Sequence, residues 1–269
     1  QHMGRTLFVG CSHTMGYRED APVDEPNVWR DNNYAEIYSQ IFDKKVVIMA
    51  SAGAGNRAYH RFISYAFEKY NDIDQVFIQS TYWGRFPIAI NPDLDEQNIF
   101  PKEFFIDKNI CEGNIDRFSI ALSPNNKYLE TYLKPWASDY DDFPYMKDTK
   151  VWESEPDIRR TSHVYMQMWH YSNTHLVQED YFTYMTMCDM LCKKNNAKMY
   201  IWNINDRCYI PKETKNYYTS LDNTKIANID AENYLKKHIK IEKVDGEHYS
   251  TNVHKAIAER YIPYIKETQ

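Results

Sequence analysis

Short apolar runs alternate along the chain with longer segments whose apolar positions recur every three or four residues. Thr6 to Gly10 (TLFVG) is continuously apolar and then breaks into Cys11-Ser12-His13-Thr14, the pattern of a buried parallel strand ending in a tight turn. After a polar stretch with Pro22 and Pro26, Trp29 to Phe42 places Tyr34, Ile37, Tyr38 and Ile41 at helical spacing, and Lys45 to Ala50 (KVVIMA) predicts a second buried strand. Ser51 to Asn56 is a small-residue turn. Arg57 to Tyr70 predicts a helix with Tyr59, Phe62, Ile63, Ala66 and Phe67 on one face, and Gln75 to Ser80 (QVFIQS) a third strand. Strands alternating with helices imply right-handed crossovers and a parallel sheet covered on both sides, hence an α/β three-layer sandwich.

The regularity fails from about Trp83 to Arg160. This stretch holds seven of the eleven prolines, a cluster of aspartates at Asp139 to Asp142, and only a fragment of helical signal around Asn126 to Leu133. It is too long for a simple loop and reads as an irregular insertion that packs on the sheet and shapes a site. Regular structure resumes with a long helix near Ser162 to Asn195, with a possible break at Ser172-Asn173. A fourth strand, Lys198 to Ile204, a helix around Asp230 to His238, and a closing helix from Asn252 to Ile265 complete the pattern. Residues 4–269 therefore read as one domain carrying an insertion at about 83–160.

Composition narrows the possible partners. With 32 basic and 38 acidic side chains the net charge is −6, which argues against coating nucleic-acid phosphate or an anionic membrane. No run approaches the roughly 18 to 20 apolar residues that cross a bilayer, and the start lacks the order of a signal peptide. Gln1-His2-Met3 reads as a cloning remnant. Five cysteines without Cys-x-x-Cys spacing suggest free thiols in a reducing, cytoplasmic setting. His163, His170 and His175 lack the i, i+4 arrangement that clamps zinc, so no metal site is expected. Oligomeric state is not legible.

Ligands of an open parallel sheet sit outside the carboxyl ends of its strands. Ser12 follows the first strand, Gly53-Ala54-Gly55-Asn56 the second and Thr81-Tyr82 the third, while Asp245 and His248 stand late in the chain. A serine on a strand-end turn, a glycine N–H and an Asp/His pair supply a nucleophile, an oxyanion donor, and a base with its orienting acid. Taken singly these features are ordinary: most such serines cap a helix, and Asp-x-x-His is common. Cys11 remains an alternative nucleophile, although on an extended strand end it faces away from Ser12.

The layout resembles the SGNH (GDSL-like) hydrolase family. Gly10-Cys11-Ser12 matches the family's first block with Cys in place of Asp, Ser51 to Asn56 matches the second, and Asp245-Gly246-Glu247-His248 matches the last. The resemblance spans roughly residues 6–82 and 198–265. It implies a flavodoxin-like fold, a Ser12–His248–Asp245 triad, an oxyanion hole from the N–H groups of Ser12 and Gly55, and no metal or organic cofactor.

The third block departs from the family, with Trp83 about where the oxyanion asparagine belongs. Asn56 is the first candidate replacement and the Thr81 hydroxyl the second; Thr81, Tyr82, Trp83 and Arg85 are candidate substrate contacts. Tyr82, Trp83, Phe86, Trp136, Tyr140, Tyr145 and Trp152 would suit a sugar platform, with simple packing as the alternative, and Asp93, Asp95, Glu96, Asp139, Asp141 and Asp142 interrupt any long apolar groove. The expected function is hydrolysis of a short, acetyl-type ester on a small molecule or carbohydrate. Alternatives are an O-acyltransferase and a non-catalytic module with a degenerate oxyanion hole.

Overall fold

The computed structural model describes residues 4–16, 33–50, 55–81, 85–89, 105–121, 128–132, 174–206, 221–244 and 248–267. Its centre is a seven-stranded sheet built from β1 (Arg5–Gly10), β2 (Val46–Ala50), β3 (Ile73–Ser80), β5 (Phe105–Glu112), β6 (Ile115–Ala121), β8 (Lys198–Asn203) and β9 (Thr224–Ile226), in the order β5-β6-β2-β1-β3-β8-β9. Every pairing is parallel except β5 with β6. The run β2-β1-β3-β8-β9 is the flavodoxin-like order, in which the chain reverses direction of travel between β1 and β3 and opens a crevice there.

Alternation along each strand divides the core into two layers. Phe8, Ile48, Phe77 and Trp202 face α2 (Tyr34–Phe42), α5 (Ala231–Leu235) and the closing helix. Leu7, Val9, Met49, Ile78 and Ile201 face α3 (Tyr59–Lys69) and α4 (Thr174–Lys194). On the first face the rings of Phe8, Phe77 and Tyr200 stack across three adjacent strands, with centroids 5.2 and 4.5 Å apart. Burial of this kind contributes about 25 cal/mol per Å² of apolar surface, the main stabilisation of the sandwich.

Local chemistry places the helix ends. Asn33 caps α2, its Oδ1 accepting from the N–H groups of Ala35 and Glu36 at 2.9 and 3.1 Å, and the helix stops at Asp43 in the left-handed region at φ 47°. The closing helix runs from α6 (Thr251–Ala256) through a π turn, Ile257–Tyr261, into α7 (Ile262–Glu267). Pro263 explains the widening: it has no N–H for the carbonyl four residues back, and its ring crowds that turn.

Two expectations change. Within the insertion, β5 and β6 form a hairpin, with a register shift between Ile106 and Lys108, that lengthens the sheet beyond β2 and turns at Gly113-Asn114 with Gly113 at φ 58°. β4 (Arg85–Ala89) and β7 (Tyr128–Tyr132) pair antiparallel as a separate small sheet, so the helical signal near Asn126 to Leu133 gives way to a strand. Strand pairing overrides a weak local preference there. Among the described residues, no helix is long and apolar enough to cross a membrane.

Candidate active site

β1 delivers Ser12 to the crevice. After Gly10 the chain turns at once into the short helix α1 (Ser12–Met15), whose N–H groups at Thr14 and Met15 return to the Cys11 carbonyl at 3.0 Å; Gly16 ends it in the left-handed region at φ 79°. Gly10 is required by what packs on it: a Cβ there would lie 1.9 Å from Thr14 Oγ1 and 2.8 Å from Thr14 Cβ. Thr14 has no room to retreat. Its hydroxyl donates to Gln79 Oε1 at 3.0 Å, so the 2.7 Å contact with the Tyr34 hydroxyl must have tyrosine as donor. Gly10→Ala is therefore expected to lower the unfolding free energy by about 2 to 3 kcal/mol through overpacking and loss of these bonds. Urea unfolding of the variant checks this; a change below about 0.5 kcal/mol, the scale of an ordinary surface substitution, would contradict it.

His248 arrives from the other end of the chain. A strand-like bridge joins Lys243 and Tyr249, with Val244 N–H donating to the His248 carbonyl at 2.8 Å and Ser250 N–H to the Glu242 carbonyl at 2.9 Å. Tyr249 anchors it through a hydrogen bond to the Glu232 carboxylate, and Asn205 Nδ2 donates to the same phenol at 3.3 Å. Held in this way, His248 Nε2 lies 3.0 Å from Ser12 Oγ across 236 residues of sequence. Both side chains are buried. For Ser12 to donate, the imidazole proton must sit on Nδ1, the tautomer that an acceptor at Nδ1 selects. Asp245, the expected acceptor, lies outside the described residues, as do Tyr82, Trp83, Gly53, Ala54, His163, His170 and the aromatic residues from Trp136 to Trp152.

Cys11 and Ser12 point in different directions. Cys11 is fully buried with Sγ directed at Gln79 Oε1, 3.4 Å away, whereas Ser12 faces His248. Cys11, Cys188 and Cys192 are free thiols, and burial raises the pKa of the latter two.

Gly55 and Asn56 enter the short 3₁₀ turn Asn56–Ala58. The Asn56 carboxamide grips the backbone of Thr81 at both ends: Oδ1 accepts from the Thr81 N–H and Nδ2 donates to the Thr81 carbonyl, each at 3.0 Å. This arrangement mimics one rung of a sheet and ties the end of β3 to the turn after β2. Asn56 thus braces the site, and one Nδ2 proton remains. Arg85 opens β4 opposite Tyr132, and β4 lies against the turn that carries Asn56.

Two histidines that sequence reasoning passed over belong to this region. The His13 ring lies 4.9 Å from that of His248, and His254 accepts the Tyr34 N–H on Nδ1 at 3.3 Å while stacking on the Tyr34 ring. Burial, with the nearby His248 adding to it, lowers the His254 pKa from 6.5 to about 4. Below pH 6.5 the unfolded chain binds a proton that the folded protein refuses until about pH 4, so this residue removes stability as pH falls through that window and none above it. The expected loss between pH 7 and 5 is about 2 kcal/mol. Urea midpoints of the wild type and His254→Gln at the two pH values measure it, the variant losing correspondingly less; equal losses would contradict the assignment.

No protein-family model matches the chain, and no curated protein does. The functional reading therefore rests on the residues themselves and their geometry.

Proposed function

We propose that the protein is a serine hydrolase of the SGNH kind that cleaves a short-chain carboxylic ester. The observation that carries this reading is the 3.0 Å contact between Ser12 Oγ and His248 Nε2, buried at the carboxyl end of β1 beside the crevice of a flavodoxin-like sheet. A histidine so placed takes the serine proton as Oγ attacks the ester carbonyl, then returns it to the departing alcohol. Water, deprotonated by the same imidazole, releases the acyl group from Ser12. In this reading Asp245 orients His248, and the N–H groups of Ser12 and Gly55 receive the negative charge that develops on the carbonyl oxygen.

An acetyl-type ester on a carbohydrate or similar polar small molecule is the substrate class that the aromatic and acidic content of residues 83–160 supports. A fluorophosphonate probe followed by mass spectrometry tests the chemistry, with the label expected on Ser12. A series of p-nitrophenyl esters beside acetylated sugars tests the substrate: acetate should be released fastest, and a preference for acyl chains of eight carbons or more would overturn the short-chain assignment. Added hydroxyl acceptors in the same assay separate hydrolysis from acyl transfer.

A further inference from the structure

We infer that the Thr81 side-chain hydroxyl is an oxyanion donor of this site, an assignment that rests on the serine-hydrolase reading and completes it. Thr81 is fully buried, yet its Oγ1 has no hydrogen-bond partner among the described residues. A hydroxyl taken out of water without a partner costs folding free energy, and buried polar groups are almost always satisfied. Such an orphan at a candidate catalytic crevice fits a partner present only during reaction.

Its position agrees. β1 and β3 flank the point where strand order reverses, and their register sets Val9 opposite Ile78. Ser12 and Thr81 each lie just past the carboxyl end of one of these adjacent strands, β1 ending at Gly10 and β3 at Ser80. Contacts at the strand ends hold the two segments together, since both Cys11 and Thr14, one helical turn apart, reach Gln79. Alternation gives the direction. Ser80 bonds the Tyr181 hydroxyl on the α4 face at 2.6 Å, whereas Phe77 and Gln79 face α2 and the closing helix. Thr81, next in the alternation, falls on the side from which His248 approaches Ser12.

The bracing role of Asn56 separates the two candidates for the missing donor. Its carboxamide is held by both backbone groups of Thr81 and cannot swing toward a substrate, so it acts as a positioning residue for the Thr81 backbone, with the direction of its remaining Nδ2 proton fixed by that grip. In the reaction, Ser12 Oγ forms a bond to the carbonyl carbon, its proton passes to His248 Nε2, and the C=O π pair moves onto oxygen. The Thr81 O–H donates to that oxygen beside the N–H groups of Ser12 and Gly55. Because the charge exists only in the transition state and tetrahedral intermediate, the bond affects kcat far more than KM.

The test compares wild type, Thr81→Val, Thr81→Ser and Thr81→Ala in p-nitrophenyl acetate hydrolysis, fluorophosphonate labelling of Ser12 and thermal unfolding. Valine keeps the shape and removes only the hydroxyl. Its kcat should fall by about 10²- to 10³-fold with KM changed little, the labelling rate should fall with it, and Tm should stay level or rise because an unsatisfied hydroxyl has gone. Serine should recover most of the lost rate relative to valine. If the valine variant fails to fold, serine against alanine decides on the same criteria. A Thr81→Val protein as active as wild type overturns the assignment of Thr81 alone. A wild type that neither hydrolyses esters nor labels at Ser12 overturns the hydrolase reading and this assignment with it.

Discussion

Ser12→Ala is expected to lower kcat for p-nitrophenyl acetate by about 10⁵- to 10⁶-fold, as removal of a nucleophile from a working triad does. This corresponds to roughly 7 to 8 kcal/mol of transition-state stabilisation. His248→Ala should cost about as much, because a serine without its base is a poor nucleophile at neutral pH. The decisive variant is the double. If Ser12 and His248 act as one unit across their 3.0 Å contact, Ser12→Ala/His248→Ala should be no slower than either single variant, whereas independent contributions would multiply. Single-turnover and steady-state rates on the purified variants measure this directly. Full activity in Ser12→Ala would end the serine-nucleophile reading, and multiplicative losses would end the claim that the two residues share a step.

The second large effect is on stability. Glu36 of α2 and Arg117 of β6 form an ion pair with Nε 2.6 Å from Oε1, their side chains only 1% and 7% exposed. Asn33, the cap of α2, also donates from Nδ2 to Glu36 Oε1 at 3.1 Å. The pair thus ties the hairpin-supplied strand to the helix whose first residue meets His254. Removing one partner leaves the other charge desolvated without this attraction, so Glu36→Gln or Arg117→Met should each destabilise the fold by about 3 to 5 kcal/mol. Exchanging both for apolar residues of similar volume should cost far less, since it removes both desolvation penalties together. Urea unfolding of the two single variants and of Glu36→Leu/Arg117→Met checks the pattern, and single variants within 1 kcal/mol of wild type would contradict it. Domains unfold with about 5 to 15 kcal/mol, so each single loss would be visible in the yield of folded protein.

The elements nearest the site were legible in the chain. Largely apolar runs of five to seven residues marked β1, β2, β3 and β8 to within two residues, and the stripe Tyr59, Phe62, Ile63, Ala66 marked the buried face of α3. The hairpin was also written there and passed over: Gly113-Asn114 between two β-rich runs is a turn signal, obscured by the prolines around it. Gln79, a polar residue at the end of an apolar strand, likewise marked a position that needed partners, met in the fold by Thr14 and Cys11.

Local sequence determined which segments bury one face and therefore which become strands and helices, because periodicity reports burial residue by residue. It also fixed the order of those segments, from which the parallel sheet follows by the handedness of crossovers. Only the tertiary structure decided which polar groups meet. The approach of His248 to Ser12, the placement of His254 against Tyr34, the grip of Asn56 on Thr81 and the pairing of Glu36 with Arg117 join residues 25 to 236 positions apart. No pattern within a single element encodes such distances; they are set when the sheet closes and its carboxyl edge brings separate strand ends within a few ångströms of one another.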